Sequence, residues 1–136
     1  MYDLHCHMLP AIDDGAQDLD TALKMAQMAA ADGITHVACS PHIYPGLYEN
    51  TAEIIEQTRQ SFSQTLKEEG IPLEIGIAAD VHLVPEVMDG LKTGRIPTIN
   101  GSRYFLLEPS HHVAPHHFTE SVFNFITAGY TPVITH

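Results

Sequence analysis

The chain has 136 residues, 44% of them apolar, which is enough for one domain with its own core. Its formal charge is −11 with only 6 Lys and Arg, which argues against nucleic acid or an anionic membrane as the main partner. No apolar run approaches the roughly 18 residues needed to span a bilayer. Met1-Tyr2-Asp3-Leu4-His5 has neither the basic nor the apolar region of a signal peptide, so the expected compartment is the cytoplasm.

Residues 2–5 read as a short strand. Residues 18–32 read as a helix, with Leu19, Ala22, Leu23, Ala26, Ala29 and Ala30 on one face, Asp18 as N-cap and Gly33 as terminator. A strand over 34–39 is stopped by Pro41. A helix at about 51–69 opens on a capping-box-like Asn50 and Glu53 and carries Ile54, Ile55, Phe62 and Leu66 as its apolar stripe; Gly70 ends it. Residues 73–79 form the third strand. A short helix at 85–92 starts at Pro85. Residues 104–107 form the fourth strand. A helix at 116–128 has Phe118, Val122, Phe125 and Ile126 as its apolar face, and 131–135 is the fifth strand. Alternating β and α elements imply a parallel sheet with helices outside, either doubly wound or closed into a barrel. No helix follows the fifth strand, so the chain is expected to be a truncated piece of a longer domain.

Ten histidines are the unusual count. Histidine is the commonest metal ligand, and position decides which of them matter. His5 and His7 end strand one, His42 ends strand two, Asp80 strand three, Glu108 strand four and His136 strand five. In parallel α/β folds that rim is where active sites assemble. In the H-x-H pair, residues i and i+2 point the same way along a strand. Asp13-Asp14-Gly15 forms an acidic turn before the first helix. Together His5, His7, Asp14, His42, Asp80, Glu108 and His136 make a mixed imidazole and carboxylate set that suits Mn, Fe or Zn, and more than one ion. Cys6, between the two histidines, faces the other way; Cys6 and Cys39 read as small buried strand residues. His82 shares the face of Asp80. His111, His112, His116 and His117 read as a solvated loop in which His111 and His112 are candidates to line the site, as is Arg103; His36 reads as a sheet residue.

These blocks resemble a known family. The stretch from His5 to Ala16, with Asp13-Asp14-Gly15 near its end, looks like the opening motif of bacterial protein-tyrosine phosphatases of the polymerase-and-histidinol-phosphatase (PHP) superfamily. Gly33 to Val37 with Ser40-Pro41-His42, Asn100 to Glu108, and Gly129 to His136 are similar to further blocks of theirs, so the resemblance runs along the whole chain. It implies an irregular (β/α)7 PHP-type barrel, of which about the first five β/α units are present, in a single domain over 1–136. It implies two to three metal ions, manganese foremost with iron or zinc as alternatives. His5 and His7 would hold one ion, Asp80 would bridge it to a second completed by Glu108 and His136, and Asp14 and His42 would hold a third. The family usually has Glu where this chain has Asp80, and it continues past His136 with an arginine-containing segment and an Asp-x-His pair.

The resemblance further implies removal of phosphate from a phosphotyrosine protein, a bacterial tyrosine autokinase of capsular or exopolysaccharide synthesis. The attacking group would be a metal-bound hydroxide with no protein nucleophile. Bound cations would also reconcile an acidic chain with an anionic substrate. A cysteine-based phosphatase needs Arg six positions after its Cys, but Ile12 and Pro45 stand there. The alternatives are a PHP phosphoesterase acting on a small metabolite such as histidinol phosphate, and a non-catalytic metal-binding remnant. No membrane insertion is expected, and self-association is left open.

Overall fold

The computed structural model describes residues 1–113 and 115–136. In chain order the elements are β1 (Tyr2–Cys6), α1 (Leu19–Ala31), β2 (His36–Cys39), β3 (His42–Ile43), α2 (Ala52–Glu68), β4 (Glu74–Ile77), β5 (Asp80–His82), α3 (Val87–Thr93), a 3-10 turn (Ile99–Gly101), β6 (Tyr104–Glu108), α4 (Phe118–Thr127) and β7 (Thr131–Ile134). Every strand pairing is parallel, within two sheets ordered β1-β2-β4 and β3-β5-β6-β7. The fold is therefore mixed α/β with parallel sheets, as the alternation of patterns predicts.

Among the described residues the expected five strands are seven, because the second and third are each broken in two. Pro41 has no N–H to give a ladder, so the second strand stops at Cys39 and resumes at His42. The pairing keeps its register across the break: His36 faces Glu74 and His42 faces Asp80 at the same offset. Between them the Ala78 N–H donates to the Cys39 carbonyl and the Asp80 N–H to the Pro41 carbonyl. The expectation that His42 and Asp80 end their strands is corrected accordingly: each opens a new short strand just past the interruption.

Sequence periodicity cannot show the irregularity in β1. Asp3 pairs with Val37 and Cys6 with Cys39, so Leu4 and His5 together oppose the single residue Ala38. Such a bulge re-aims the side chains that follow it. Here Cys6 turns toward the helices beside buried Cys39, and His5 and His7 turn to the other face. Asp3 Oδ1 accepts the His5 N–H at 3.1 Å, and Ser40 Oγ accepts the Cys6 N–H at 3.0 Å, which satisfies backbone the bulge disturbs.

Helix α1 starts as expected, Asp18 Oδ1 accepting the Thr21 N–H at 2.7 Å. Helix α2 does not: its cap is Thr51, whose Oγ1 accepts the Ile54 N–H, while Asn50 is buried and serves the site loops. Helix α3 begins at Val87, after Pro85, and α4 begins at Phe118. Ala22 and Ala26 of α1, Ile55, Phe62 and Leu66 of α2 and Phe125 of α4 are buried in the core. Phe125 meets Phe105 edge to face at 5.1 Å. Ile54 and Ile126, expected on apolar faces, are exposed instead, since each lies at the margin of its stripe. No helix among the described residues is long and apolar enough to cross a membrane.

Candidate metal centre

Ligand-type side chains converge on Asp80, which has no exposed surface. Its Oδ1 accepts the Thr135 hydroxyl at 2.6 Å. Its Oδ2 lies 3.1 Å from His5 Nε2, 3.3 Å from His136 Nε2, 3.9 Å from His42 Nδ1 and 4.0 Å from His7 Nε2. One carboxylate oxygen thus faces four imidazoles. His5 Nε2 and His7 Nε2 are themselves only 3.2 Å apart. Two ring nitrogens that close, both aimed at one carboxylate oxygen, point at a common position rather than at each other.

The acidic turn fixes this geometry. Asp13 Oδ2 lies 2.8 Å from His7 Nδ1 and accepts the His42 N–H at 3.0 Å; Asp13 Oδ1 accepts the Gly15 N–H at 3.0 Å. A carboxylate at Nδ1 holds the proton there and leaves Nε2 with a free lone pair, the usual support for a ligating histidine. Burial disfavours the His7 cation, but the hydrogen bond to Asp13 and the charges of Asp13, Asp80 and Asp14 outweigh it and hold its pKa above the ordinary value. Burial opposes the Asp13 charge as well, and its bonds to His7, Gly15 and His42 overcome this and hold it below the ordinary carboxylate range. Asn50 donates to the carbonyls of Ile12 and His42, both at 2.9 Å, and ties this turn to β3.

Beyond Asp80, His42 reaches Asp14 Oδ1 through Nε2 at 3.5 Å and Glu108 Oε2 through Nδ1 at 3.4 Å. The ligand atoms form three overlapping groups: His5, His7, Asp80 and His136; His7, Asp14 and His42; His42, Asp80 and Glu108. All seven residues expected at the rim are therefore brought together. Their grouping differs from the one the resemblance implies, since His136 sits with His5 and His7, and Glu108 with His42.

The lining candidates divide. His111 Nε2 is 2.7 Å from Glu108 Oε1. His82 Nδ1 is 3.9 Å from Glu108 Oε2, its ring stacked on Tyr44 at 3.9 Å. His112 is exposed and outside the three groups. Arg103 is a correction: it precedes β6 at the end opposite Glu108, roughly 16 Å away at ~3.3 Å per strand residue. There it is exposed and donates to its neighbour Tyr104. Asp13, Thr135 and Asn50 are the contributors that sequence reasoning missed. Asp13 was visible as part of the acidic turn; the other two are ordinary polar residues that only the fold brings to the site.

These residues fit a divalent cation. Among the described residues no Lys or Arg pairs with Asp13, Asp80 or Glu108, so imidazoles alone face those carboxylates. His42 Nδ1 and His82 Nδ1 are buried without a hydrogen-bond partner, which is costly unless something electrophilic or polar meets them. No cysteine belongs to the three groups. Burial, then the charges of Asp3 and Asp13, push the Cys6 thiol up to about 11, and burial pushes Cys39 up as well. A cavity of about 460 Å³ runs along β1, β2 and β4, by Tyr2, His36 and Glu74, and holds none of the clustered ligands. A smaller one of about 250 Å³ opens on the cluster.

Residues 1–136 match the family model described as capsular polysaccharide synthesis, CpsB/CapC. The chain belongs to this family. Among relatives, it is 33% identical to the tyrosine-protein phosphatase YwqE of Bacillus subtilis (strain 168), over 100% of this chain and 54% of that protein. It is 27% identical to the tyrosine-protein phosphatase CpsB of Streptococcus pneumoniae, over 100% of this chain and 56% of that one. One chain from the crystal structures of YwqE from Bacillus subtilis and CpsB from Streptococcus pneumoniae, unique metal-dependent tyrosine phosphatases, superposes with a TM-score of 0.95 at 31% identity, covering all of this chain and 55% of that chain. The chain spans about half the length of the CpsB/CapC relatives it matches.

Proposed function

We propose that this chain forms part of a metal-dependent phosphoester hydrolase, a protein-tyrosine phosphatase that acts on a bacterial tyrosine autokinase in capsular or exopolysaccharide synthesis. The observation that carries this reading is the single Asp80 oxygen facing the imidazoles of His5, His7, His42 and His136. The named activities of the CpsB/CapC relatives support the substrate class. In this reading residues 1–136 are one metal-dependent domain of the cytoplasm, contributing about five units of a (β/α)7 barrel. His5, His7, Asp14, His42, Asp80, Glu108 and His136 hold two to three ions, with manganese the first candidate and iron or zinc the others.

Divalent ions held there supply Lewis acidity toward water and toward phosphoryl oxygens. The chain's own groups do the rest. Asp80, anchored by Thr135, lies where two ligand groups meet and fixes their spacing. Asp13 holds His7 in one tautomer, and Asn50 ties the acidic turn to His42. The phenolate leaving group of a tyrosine ester, with a pKa of about 10, requires less proton donation than an alkoxide. The raised Cys6 and buried Cys39 thiols favour no covalent cysteine route.

The test is phosphate release from a tyrosine-phosphorylated peptide by the intact protein with added manganese. Release should stop with a chelator and survive thiol alkylation. Folded, metal-loaded protein that releases nothing would refute the reading.

A further inference from the structure

The cavity of about 250 Å³ at the cluster has two unlike walls. One carries the ligand-type groups Asp14, His42, Glu108 and His136. The other is Tyr44, Leu47 and Tyr48, all from one tight loop after β3. The loop is closed by backbone bonds between Tyr44 and Tyr48, at 3.0 Å from the Tyr44 N–H and 2.7 Å from the Tyr48 N–H. Gly46 turns it with a φ of 84°, and the Gly46 N–H donates to Glu49 Oε1 at 2.5 Å.

Both tyrosine rings are braced from the site side. Tyr44 lies flat on His82, centroids 3.9 Å apart and planes within 9°. Tyr48 stacks on His42 at 5.7 Å and 15°. Leu47 stands at the loop tip, 62% exposed, with its side chain at the cavity mouth. The second wall faces the ligand-type groups across the cavity, where the ester substituent of a phosphoryl group held by the first wall would lie. That second wall offers an isobutyl group and two braced aromatic rings, and neither Lys nor Arg lines the cavity. Such a surface gains from covering a flat apolar ring and offers little to a sugar or glycerol group, whose hydroxyls need hydrogen-bond partners.

We propose that Leu47 and Tyr48 form an aryl-binding wall that selects aromatic phosphate esters, with the ring lying against the loop and the phosphoryl group facing the cluster. This rests on the hydrolase reading above and assigns its leaving-group specificity to one loop.

The experiment measures binding rather than turnover. Phenylphosphonate and methylphosphonate, which are not hydrolysed, are titrated calorimetrically into the intact manganese-loaded protein and into Leu47→Ala and Leu47→Met variants. The ratio of the two affinities within one protein is the readout, so a general loss of folding or metal cancels. Phenylphosphonate is expected to bind at least tenfold tighter in the parent. Leu47→Ala is expected to cut that ratio about fivefold, and Leu47→Met to restore most of it. A parent ratio near one, or a ratio that Leu47→Ala leaves alone, overturns the aryl wall while the hydrolase reading stands. Failure of both phosphonates to bind overturns the hydrolase reading and the wall with it.

Discussion

A carboxylate with no exposed surface normally requires a cationic partner or a full set of hydrogen bonds. Asp80 has the Thr135 hydroxyl on one oxygen and four imidazoles around the other. Asp80→Asn keeps the shape and removes the charge, so manganese retained after dialysis should fall to background; elemental analysis checks it, and full retention would show that Asp80 is no ligand. Asp13 acts one step back, through His7. Asp13→Ala frees the His7 tautomer and should weaken manganese affinity by about 10–100-fold, the usual cost of losing a partner behind a ligand, as read by competition with a chelating dye. Unchanged affinity would leave Asp13 a purely structural turn residue. Cys6 lies beside both histidines without sharing their chemistry. With its thiol at about 11, roughly one molecule in 10⁴ is thiolate at pH 7, so iodoacetamide should label it far more slowly than free cysteine.

Apolar stripes and caps made α1 and the buried part of α2 legible, because both depend on residues within a turn or two of each other. What failed depended on distant partners. Asn50 reads as a cap from its neighbours, yet its amide is engaged by the carbonyls of Ile12 and His42, and the adjacent Thr51 takes the cap. The β1 bulge exists only against Ala38 and cannot be read from β1 alone. The clustering of the rim residues was legible since strand edges are easier to place than strand registers, and Arg103 stands apart because it lies at the other end of its strand from Glu108. Gly15 shows how tightly the acidic turn packs: a Cβ there would lie 2.1 Å from the His7 carbonyl oxygen. Gly15→Ala should therefore destabilise the fold by about 2 kcal/mol or more, measured by urea unfolding. The Asp18 cap supplies a pH test. Its bonds to the Thr21 hydroxyl and N–H hold its carboxyl below the ordinary 3.8. A depressed carboxylate contributes stability above its unfolded pKa and loses it as pH falls through the folded one. Asp18→Asn keeps a cap without the charge, so the parent's advantage in melting temperature should shrink between pH 7 and pH 2; an advantage that stays constant would show that the charge is not involved.

At the scale of the whole chain, a net charge of −11 is unfavourable to compactness, and the cluster adds buried carboxylates to it. Cations at the cluster would answer both problems at once, since they would neutralise charge locally and bind only the folded arrangement that joins residues of five strands' edges and the acidic turn. Ligand binding to the native state alone stabilises by RT ln(1 + [L]/Kd), about 2.7 kcal/mol at a hundredfold excess over Kd. For a chain of this size that shifts the melting temperature by on the order of 10 °C. Manganese should produce that rise, and a chelator should reverse it. Magnesium should do much less, because it prefers oxygen ligands and keeps its waters, whereas this cluster is rich in imidazole. Equal shifts with both ions would mean that the gain comes from screening a strongly acidic surface, and the seven residues would then be a charge cluster rather than a metal centre.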